Sequence, residues 1–316
     1  MKAVVLYSGG LDSSLALGLI KKMGAKVFPL HIKHEFLPIS SPPEVLNLKS
    51  IDATKEMIEI VKNPHYGYGK NLNPCIDCRI LMLKKAKEYM ESIKADFVVT
   101  GEVLDQRPMS QRMETLLLIE KKANLEGLVV RPLSGALLPP TIPEKMGLIK
   151  RKDLLSIRGR SRKIELTLAK ELNITNFLPP GGGCLLTDSR FAQRLADLMR
   201  YEVEITQEDI ILLKLGRHFR LSPGARLIVG REKEENERLE KLLNSRAILL
   251  FVPDTGSPNA ILIGDNDLLK TAAEITARYS DKRNERMVEV CYKEREKIGR
   301  IKVKPSRDED LRNLRI

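Results

Sequence analysis

The sequence predicts an α/β protein: a parallel-sheet domain over residues 1–200, followed by a smaller α+β domain over residues 201–316. Three observations lead there. Short β-rich runs alternate with helical stretches through the first hundred residues, the order that builds a parallel sheet with right-handed crossovers. The first run, Val4-Val5-Leu6-Tyr7, passes through Ser8-Gly9-Gly10 straight into a helix. Beyond residue 202 strand-like pieces mix with two charged helices, and the alternation is lost.

Taken in order, Leu11–Met23 reads as a helix with Leu15, Leu19 and Ile20 on one face. A second strand spans Lys26–Ile32, with Pro29 as a blemish, since proline removes a ladder donor. A Pro/Ser-rich loop at 38–43 leads to a helix from about Asn47 to Lys62, then to another over Ile80–Lys94. Ala95–Thr100 is a buried-type strand. Residues 101–190 read as loop-rich around one helix, about Arg162–Leu172, with a helix over about Ser189–Met199 as a linker. In the second domain the expected strands are Arg226–Val229, Ala247–Val252, Ala260–Ile263 and Met287–Tyr292. The expected helices are Glu232–Leu243 and Asp267–Tyr279, and the charged tail Arg307–Ile316 reads as frayed.

No apolar run approaches the roughly 20 residues of a membrane span, and the first residues are too short an apolar stretch for a signal peptide. The expectation is a cytoplasmic protein without a membrane partner. Net charge is +12, and residues 1–200 carry 31 Lys and Arg against 21 Asp and Glu, so about ten of the twelve charges lie there. Such an excess suits a polyanion, because neutralised phosphates release counterions, although a solubilising surface has the same composition.

Ser8-Gly9-Gly10-Leu11-Asp12-Ser13-Ser14 is the most informative string. Between a strand and a helix, backbone N–H groups and the helix dipole favour an anion. Two glycines let the backbone approach phosphate oxygens, and Ser13 and Ser14 add hydroxyls in the first turn. The Gly-Lys-Ser/Thr ending of a Walker A loop is missing.

Of four cysteines, Cys75 and Cys78 sit three residues apart at the entry to a helix, where the dipole favours thiolate. Cys184 follows Pro179-Pro180-Gly181-Gly182-Gly183, a loop that lets a thiol approach a ligand closely. Three thiols suit a cubane with one open iron, or zinc with a water. Cys291 alternates with apolar residues in a strand and reads as core. Asp77 reads equally as a proton shuttle and as a helix cap.

The loop string resembles the signature of the PP-loop ATP pyrophosphatases (a HUP-like fold), in which the loop holds the β,γ-pyrophosphate while the substrate attacks the α-phosphate. The resemblance implies ATP and Mg²⁺, with Asp12 placing the metal and Ser8, Gly9, Gly10, Ser13 and Ser14 the phosphates. It also implies adenine binding near Leu30–Ile32, His31 included, a nucleotide-facing Gly101 in Thr100-Gly101-Glu102, and Arg131 facing the active site. Together with Asn73-Pro74-Cys75-Ile76-Asp77-Cys78 and the late Gly183-Cys184, it extends to the tRNA thiouridylases related to MnmA/TrmU and ThiI. Many MnmA-type proteins have Asp at the position of Cys75, so this chain departs towards the three-cysteine, [4Fe-4S]-dependent type. On that resemblance Cys75, Cys78 and Cys184 ligate the cluster. The alternatives are a cluster-free persulfide on Cys184 with Cys78 resolving it, and an amide ligase adenylating a small-molecule carboxylate.

Lys145–Lys163 carries eight cations against Asp153 alone, a phosphate-backbone track or a solvated loop. Gly216–Arg226 resembles the RNA-binding domain of NFACT-type proteins, which implies backbone contacts from Arg217, His218 and Arg220, with Phe219 in the core. No THUMP domain is recognisable. The implied reaction is ATP-dependent tRNA sulfur transfer by a transferase, with sulfide or a cysteine desulfurase system as donor. The sequence leaves the oligomeric state open, a homodimer included.

Overall fold

The computed structural model describes residues 1–38, 42–178, 183–243, 247–295 and 297–316. The chain divides into two units, Met1–Asp188 and Ser189–Ile316. The division falls before the helix at Ser189, so that helix belongs to the second unit.

In the first unit the strands are β1 (Lys2–Leu6), β2 (Lys26–Lys33), β3 (Lys49–Asp52), β4 (Phe97–Val99) and β5 (Val129–Val130). The helices are α1 (Leu11–Lys22), α2 (Thr54–Lys62), α3 (Cys75–Ser92), α4 (Met113–Lys122), α5 (Ile142–Lys145) and α6 (Lys163–Glu171). The sheet is parallel, in the order β3-β2-β1-β4-β5. Alternation along the strands sorts side chains to two faces. Val4, Val98 and Val129 pack under α3 through Ile80, Leu83, Ala86 and Met90. Ala3, Val5, Phe97, Val99 and Val130 pack under α1 through Ala16, Leu17 and Ile20. Each fully buried leucine or valine of this kind contributes about 1.5–3 kcal/mol.

Pro29 lies inside β2 opposite Val5. Lys26 N and Leu30 O both bond towards β1, so alternation turns the Pro29 nitrogen to the other side, where the β3 ladder begins only at Leu30. Its missing donor therefore faces no strand.

Three sequence expectations are corrected here. The start of the helix expected from Asn47 is strand β3, whose Lys49–Asp52 pair with Leu30–Lys33. Asp52 then accepts from the Thr54 amide at 2.9 Å and starts α2. The third helix begins at Cys75, five residues before Ile80, so both cysteines occupy its first turn. The stretch expected to be loop-rich holds α4 and β5 as well as α6.

The second unit contains α7 (Ser189–Tyr201), α8 (Gln207–Leu213), β6 (Arg217–Ser222), β7 (Ala225–Val229), α9 (Lys233–Lys241), β8 (Ala247–Phe251), β9 (Ala260–Gly264), α10 (Leu269–Arg278), β10 (Val288–Glu294), β11 (Lys297–Val303) and α11 (Asp308–Arg312). Its six-stranded sheet is antiparallel, in the order β11-β10-β8-β9-β7-β6. One face, with Leu227, Val229, Leu250 and Val290, buries α10. The other, with Ile228, Leu249 and Ile261, buries Leu212 of α8 and Leu239 of α9. Cys291 is buried in β10, as expected for a core residue.

The tail is not frayed. Arg220 N bonds Leu314 O at 2.8 Å and Ile316 N bonds His218 O at 3.1 Å, which ties the terminus to β6. Among the described residues no helix is long and apolar enough to cross a membrane.

Candidate active site

The sheet order reverses direction at β1 and β4, and the crevice outside their carboxyl ends is where open α/β sheets bind ligands. A cleft opens there, lined by Ser8, Asp12 and Ser13 after β1, by Leu30 and His31 of β2, and by Thr100, Gly101, Glu102, Gln106 and Arg107 after β4. Arg79 and Met82 of α3 and the buried Gln111 complete the wall.

Local sequence fixes the phosphate loop. Gly9 has φ +78°, the left-handed region that glycine tolerates, and a Cβ there would lie 2.9 Å from Pro42 Cα. The Ser13 hydroxyl donates to Gly10 O at 2.9 Å and accepts from Ser8 N at 3.3 Å, closing the loop on itself. Gly101 is needed for a different reason. A Cβ on it would stand 2.5 Å from Asp12 C and 2.7 Å from Ser13 N, so the end of β4 touches the backbone of the α1 amino terminus. Gln106 Nε2 donates to Asp12 Oδ2 at 3.1 Å, while Asp12 Oδ1 and Ser14 Oγ are buried with no hydrogen-bond partner.

His31 Nδ1 donates to Tyr7 O at 3.0 Å. Burial lowers its pKa, against that hydrogen bond and with Lys33 adding to it, so the ring enters the cleft neutral. Glu102 is the electrostatic hub. Thr100 Oγ1 and Arg131 Nε each donate to its Oε2 at 3.0 Å, and Arg79 Nε stands 3.7 Å from Oε1. Burial pushes the Glu102 carboxyl up, but Arg131 and Arg79 outweigh it and hold the group below its ordinary value.

The thiols stand outside this lining; Cys75 and Cys78 lie in the first turn of α3, whose Arg79 reaches it. Cys75 Sγ donates to Ser110 Oγ at 3.1 Å, next to Gln111 of the cleft wall. Arg79 directly follows Cys78. The expectation of a thiol made acidic by the helix dipole is corrected at Cys78. Burial pushes Cys78 up to about 12, with Cys184 and Cys75 adding to it against Arg79 and Arg107. Burial likewise pushes Cys184 up to about 11, against the Leu186 amide and with Cys75 adding to it. The three sulfurs thus feel one another and the same two guanidinium groups. Among the described residues no three His, Cys, Asp or Glu side chains form a group that could hold a metal ion. The Pro179–Gly182 approach to Cys184 lies outside the described residues.

Two further sequence-predicted residues stand outside the cleft. Asp77 accepts from the Tyr66 amide at 3.0 Å and does not line the cleft. Arg131 is buried behind the cleft between Glu102 and Glu120, which it holds as a pair of ion pairs, and it does not line the cleft either. Gly9, Gly10 and Ser14 shape the loop from beneath. Sequence reasoning missed Arg79 and Gln111; the one signal available was a cation directly after the second cysteine.

In the second unit His218 is corrected from a surface contact to a core residue. It is 2% exposed, its Nε2 donates to Leu215 O at 2.8 Å, and burial with Arg194 nearby pushes its pKa down to about 3. Phe219 is fully buried, as expected. Arg220 is taken up by Asp197, with Nη2 to Oδ2 at 2.6 Å, and Arg217 lies 4.7 Å over the Tyr279 ring.

Residues 1–137 match the family model described as thiamine biosynthesis protein (ThiI), and residues 216–315 match that of the NFACT protein RNA binding domain. The chain joins a ThiI-type domain to an NFACT-type one. The phosphate loop and the Cys75–Cys78 pair lie within the ThiI-type match, and Arg217, His218 and Arg220 within the NFACT-type one. A probable tRNA sulfurtransferase of Thermococcus kodakarensis is 26% identical over 156 residues, 42% of this chain and 37% of that protein. The tRNA-specific 2-thiouridylase MnmA of Petrotoga mobilis is 29% identical over 130 residues, 33% of this chain and 35% of its own. The chain therefore spans well under half the length of these two curated relatives. A solved 4-thiouridine synthetase–RNA complex with bound ATP is 21% identical, covering 55% of this chain and 51% of its own, with a TM-score of 0.32.

Proposed function

We propose that the protein is an ATP-dependent tRNA sulfurtransferase that adenylates a base carbonyl oxygen and replaces it with sulfur. The observation that carries the reading is one shared cleft. The phosphate loop enters it from β1, and Arg79, next in sequence to Cys78, enters it from α3.

ATP binds with its β,γ-phosphates over Ser8, Ser13 and the α1 amino terminus, and with adenine against Leu30 and His31. The base oxygen attacks the α-phosphate and pyrophosphate leaves. Arg79 and Arg107 face the charge that gathers on the α-phosphate, the kind of aimed cationic group that stabilises phosphoryl transition states. Activation is needed because a carbonyl oxygen leaves poorly, whereas AMP leaves well. Sulfur then attacks the activated carbon, and AMP departs.

Mg²⁺ fits this site through the unpartnered Asp12 Oδ1. The donor chemistry of three thiols suits a [4Fe-4S] cluster, with Arg79 and Arg107 beside Cys78 and Cys184 as counter-charges. Cys75, Cys78 and Cys184 would hold it, and its chemistry there is an iron open to a sulfur ligand. A persulfide on Cys184 with Cys78 resolving it is the second reading, and it needs a low-pKa thiolate. The sulfur donor is sulfide or a desulfurase system.

The RNA contacts come from both units. Lys150, Lys152, Arg160 and Lys163 are exposed on the first, and the NFACT-type domain supplies the second. The test is pyrophosphate release from ATP with and without unmodified tRNA. Release that depends on tRNA and falls steeply with salt supports the reading. Release that ignores tRNA but follows a small carboxylate and ammonia overturns it in favour of an amide ligase.

A further inference from the structure

A second cavity lies in the first unit, and it shares no lining residue with the ATP cleft. It encloses about 170 Å³ between α4, β5 and the chain that follows them. Leu116 and Leu117 of α4, Val129 and Val130 of β5, and Leu138 and Leu154 give it apolar walls. Leu117 lines it and is also 41% exposed, so the cavity reaches the surface there. A body the size of benzene fits that volume, since a dry apolar cavity of about 150 Å³ takes up benzene.

One polar side chain on its wall is left unfinished. Arg131 lines the cavity and is 3% exposed. Its Nε donates to Glu102 and its Nη1 to Glu120, while Nη2 is buried with no hydrogen-bond partner. The carboxylates on the same wall are engaged. Glu120 Oε2 accepts from the Gly127 amide at 3.1 Å. Glu144 Oε2 accepts from the Thr141 amide and hydroxyl at 2.8 Å, and its Oε1 takes Arg151 at 3.0 Å. A buried donor without an acceptor costs free energy that one matched acceptor recovers. Arg131 already faces two carboxylates, so a third anion would be repelled and the acceptor must be neutral. Water suits the place poorly, because it needs several polar partners and Nη2 stands among apolar walls and engaged carboxylates.

We propose that this cavity binds a small neutral molecule, with an apolar body the size of one ring and one hydrogen-bond acceptor received by Arg131 Nη2. The site is distinct from the nucleotide cleft and adjoins it through one bond: Arg131 Nε holds Glu102, which lines the cleft. The proposal goes beyond the sulfurtransferase reading and stands without it.

The experiment titrates the full chain with benzonitrile and with toluene by calorimetry. The two are close in size, and only the first carries an acceptor. The wild type is expected to bind one benzonitrile, about tenfold more tightly than toluene, as a hydrogen bond from a charged donor provides. Saturating ATP is expected to leave it bound. A second readout is the nitrile stretch, which should lie at higher wavenumber in the bound state than in hexane, as it does for a hydrogen-bonded nitrile. Arg131→Lys keeps the charge but loses Nη2, and should bring benzonitrile down to the affinity of toluene. Leu138→Phe fills the cavity and should abolish binding of both. Equal affinity of the wild type for the two probes, displacement of benzonitrile by ATP, an unshifted stretch, or undiminished benzonitrile binding in R131K or L138F overturns the proposal. So does failure of benzonitrile to bind, the result if water fills the cavity. The wild-type readings need no variant, so they decide the matter if R131K or L138F does not fold.

Discussion

Arg131 donates its Nε to Glu102 Oε2 at 3.0 Å, with both side chains 5% exposed or less. The same guanidinium holds Glu120 on its other side. Glu102 in turn faces Arg79 across the cleft wall, so a buried ion chain braces the residue that orients the cation nearest the thiols. Removing Arg131 leaves two buried carboxylates uncompensated. Arg131→Met is expected to cost about 3–5 kcal/mol of stability, measured by urea unfolding. Adding Glu102→Gln to R131M should recover part of the loss, because the charges are coupled.

Gly101→Ala separates close approach from backbone freedom. Its Cβ would collide with the Asp12 and Ser13 backbone, so the phosphate loop must move. ATP affinity measured by calorimetry should fall at least about tenfold, roughly 1.4 kcal/mol. Gly24→Ala is the control. Gly24 has φ +86° and open space around it, so it should lose roughly 1–2 kcal/mol of stability and leave ATP binding as it was.

His218 makes stability depend on pH. Its folded pKa is pushed down to about 3 by burial, so between that value and about 6.5 the unfolded chain binds the extra proton. Its contribution is complete above about pH 6.5 and is lost as pH falls from there towards 3. Unfolding free energy should therefore drop by up to about 1.4 kcal/mol per pH unit over that window. His218→Gln should flatten that part of the profile.

The fold was legible where one pattern decided the matter. Val4–Tyr7 followed by Ser8-Gly9-Gly10 gave the first strand, loop and helix, and the runs at 226–229, 247–252, 260–263 and 287–292 gave four strands of the second sheet. What escaped depended on tertiary partners. Lys49-Ser50-Ile51-Asp52 is a strand only because Leu30–Lys33 offers it an edge. Arg217–Ser222 and Lys297–Val303 are too polar to announce strands, and the terminus has the composition of a frayed end because its ties to β6 run through backbone groups. Of the candidate site, the loop and thiols were visible as motifs. The direction of the thiol shifts was not, since burial is set by residues far away in sequence. Arg131, expected to face the active site, is buried between Glu102 and Glu120, a setting fixed by residues distant in sequence.

The exposed cations of the 145–163 segment should govern the salt dependence of RNA binding. Replacing Lys150, Lys152 and Lys163 with glutamate is expected to reduce the slope of log K against log salt by about 0.9 for each phosphate that is no longer neutralised. Filter binding of unmodified tRNA over a salt series measures it. An unchanged slope would assign those lysines to solvation alone.

Sulfur transfer to tRNA through the three thiols stands or falls on its product. Protein purified without oxygen and reconstituted with iron and sulfide would be incubated with unmodified tRNA, ATP, Mg²⁺ and sulfide, and the digested nucleosides analysed by mass spectrometry. The expected result is a thionucleoside that depends on ATP and disappears in Cys75→Ala, Cys78→Ala and Cys184→Ala alike. Pyrophosphate release without any thionucleoside, or a thionucleoside that survives loss of Cys75, would contradict it.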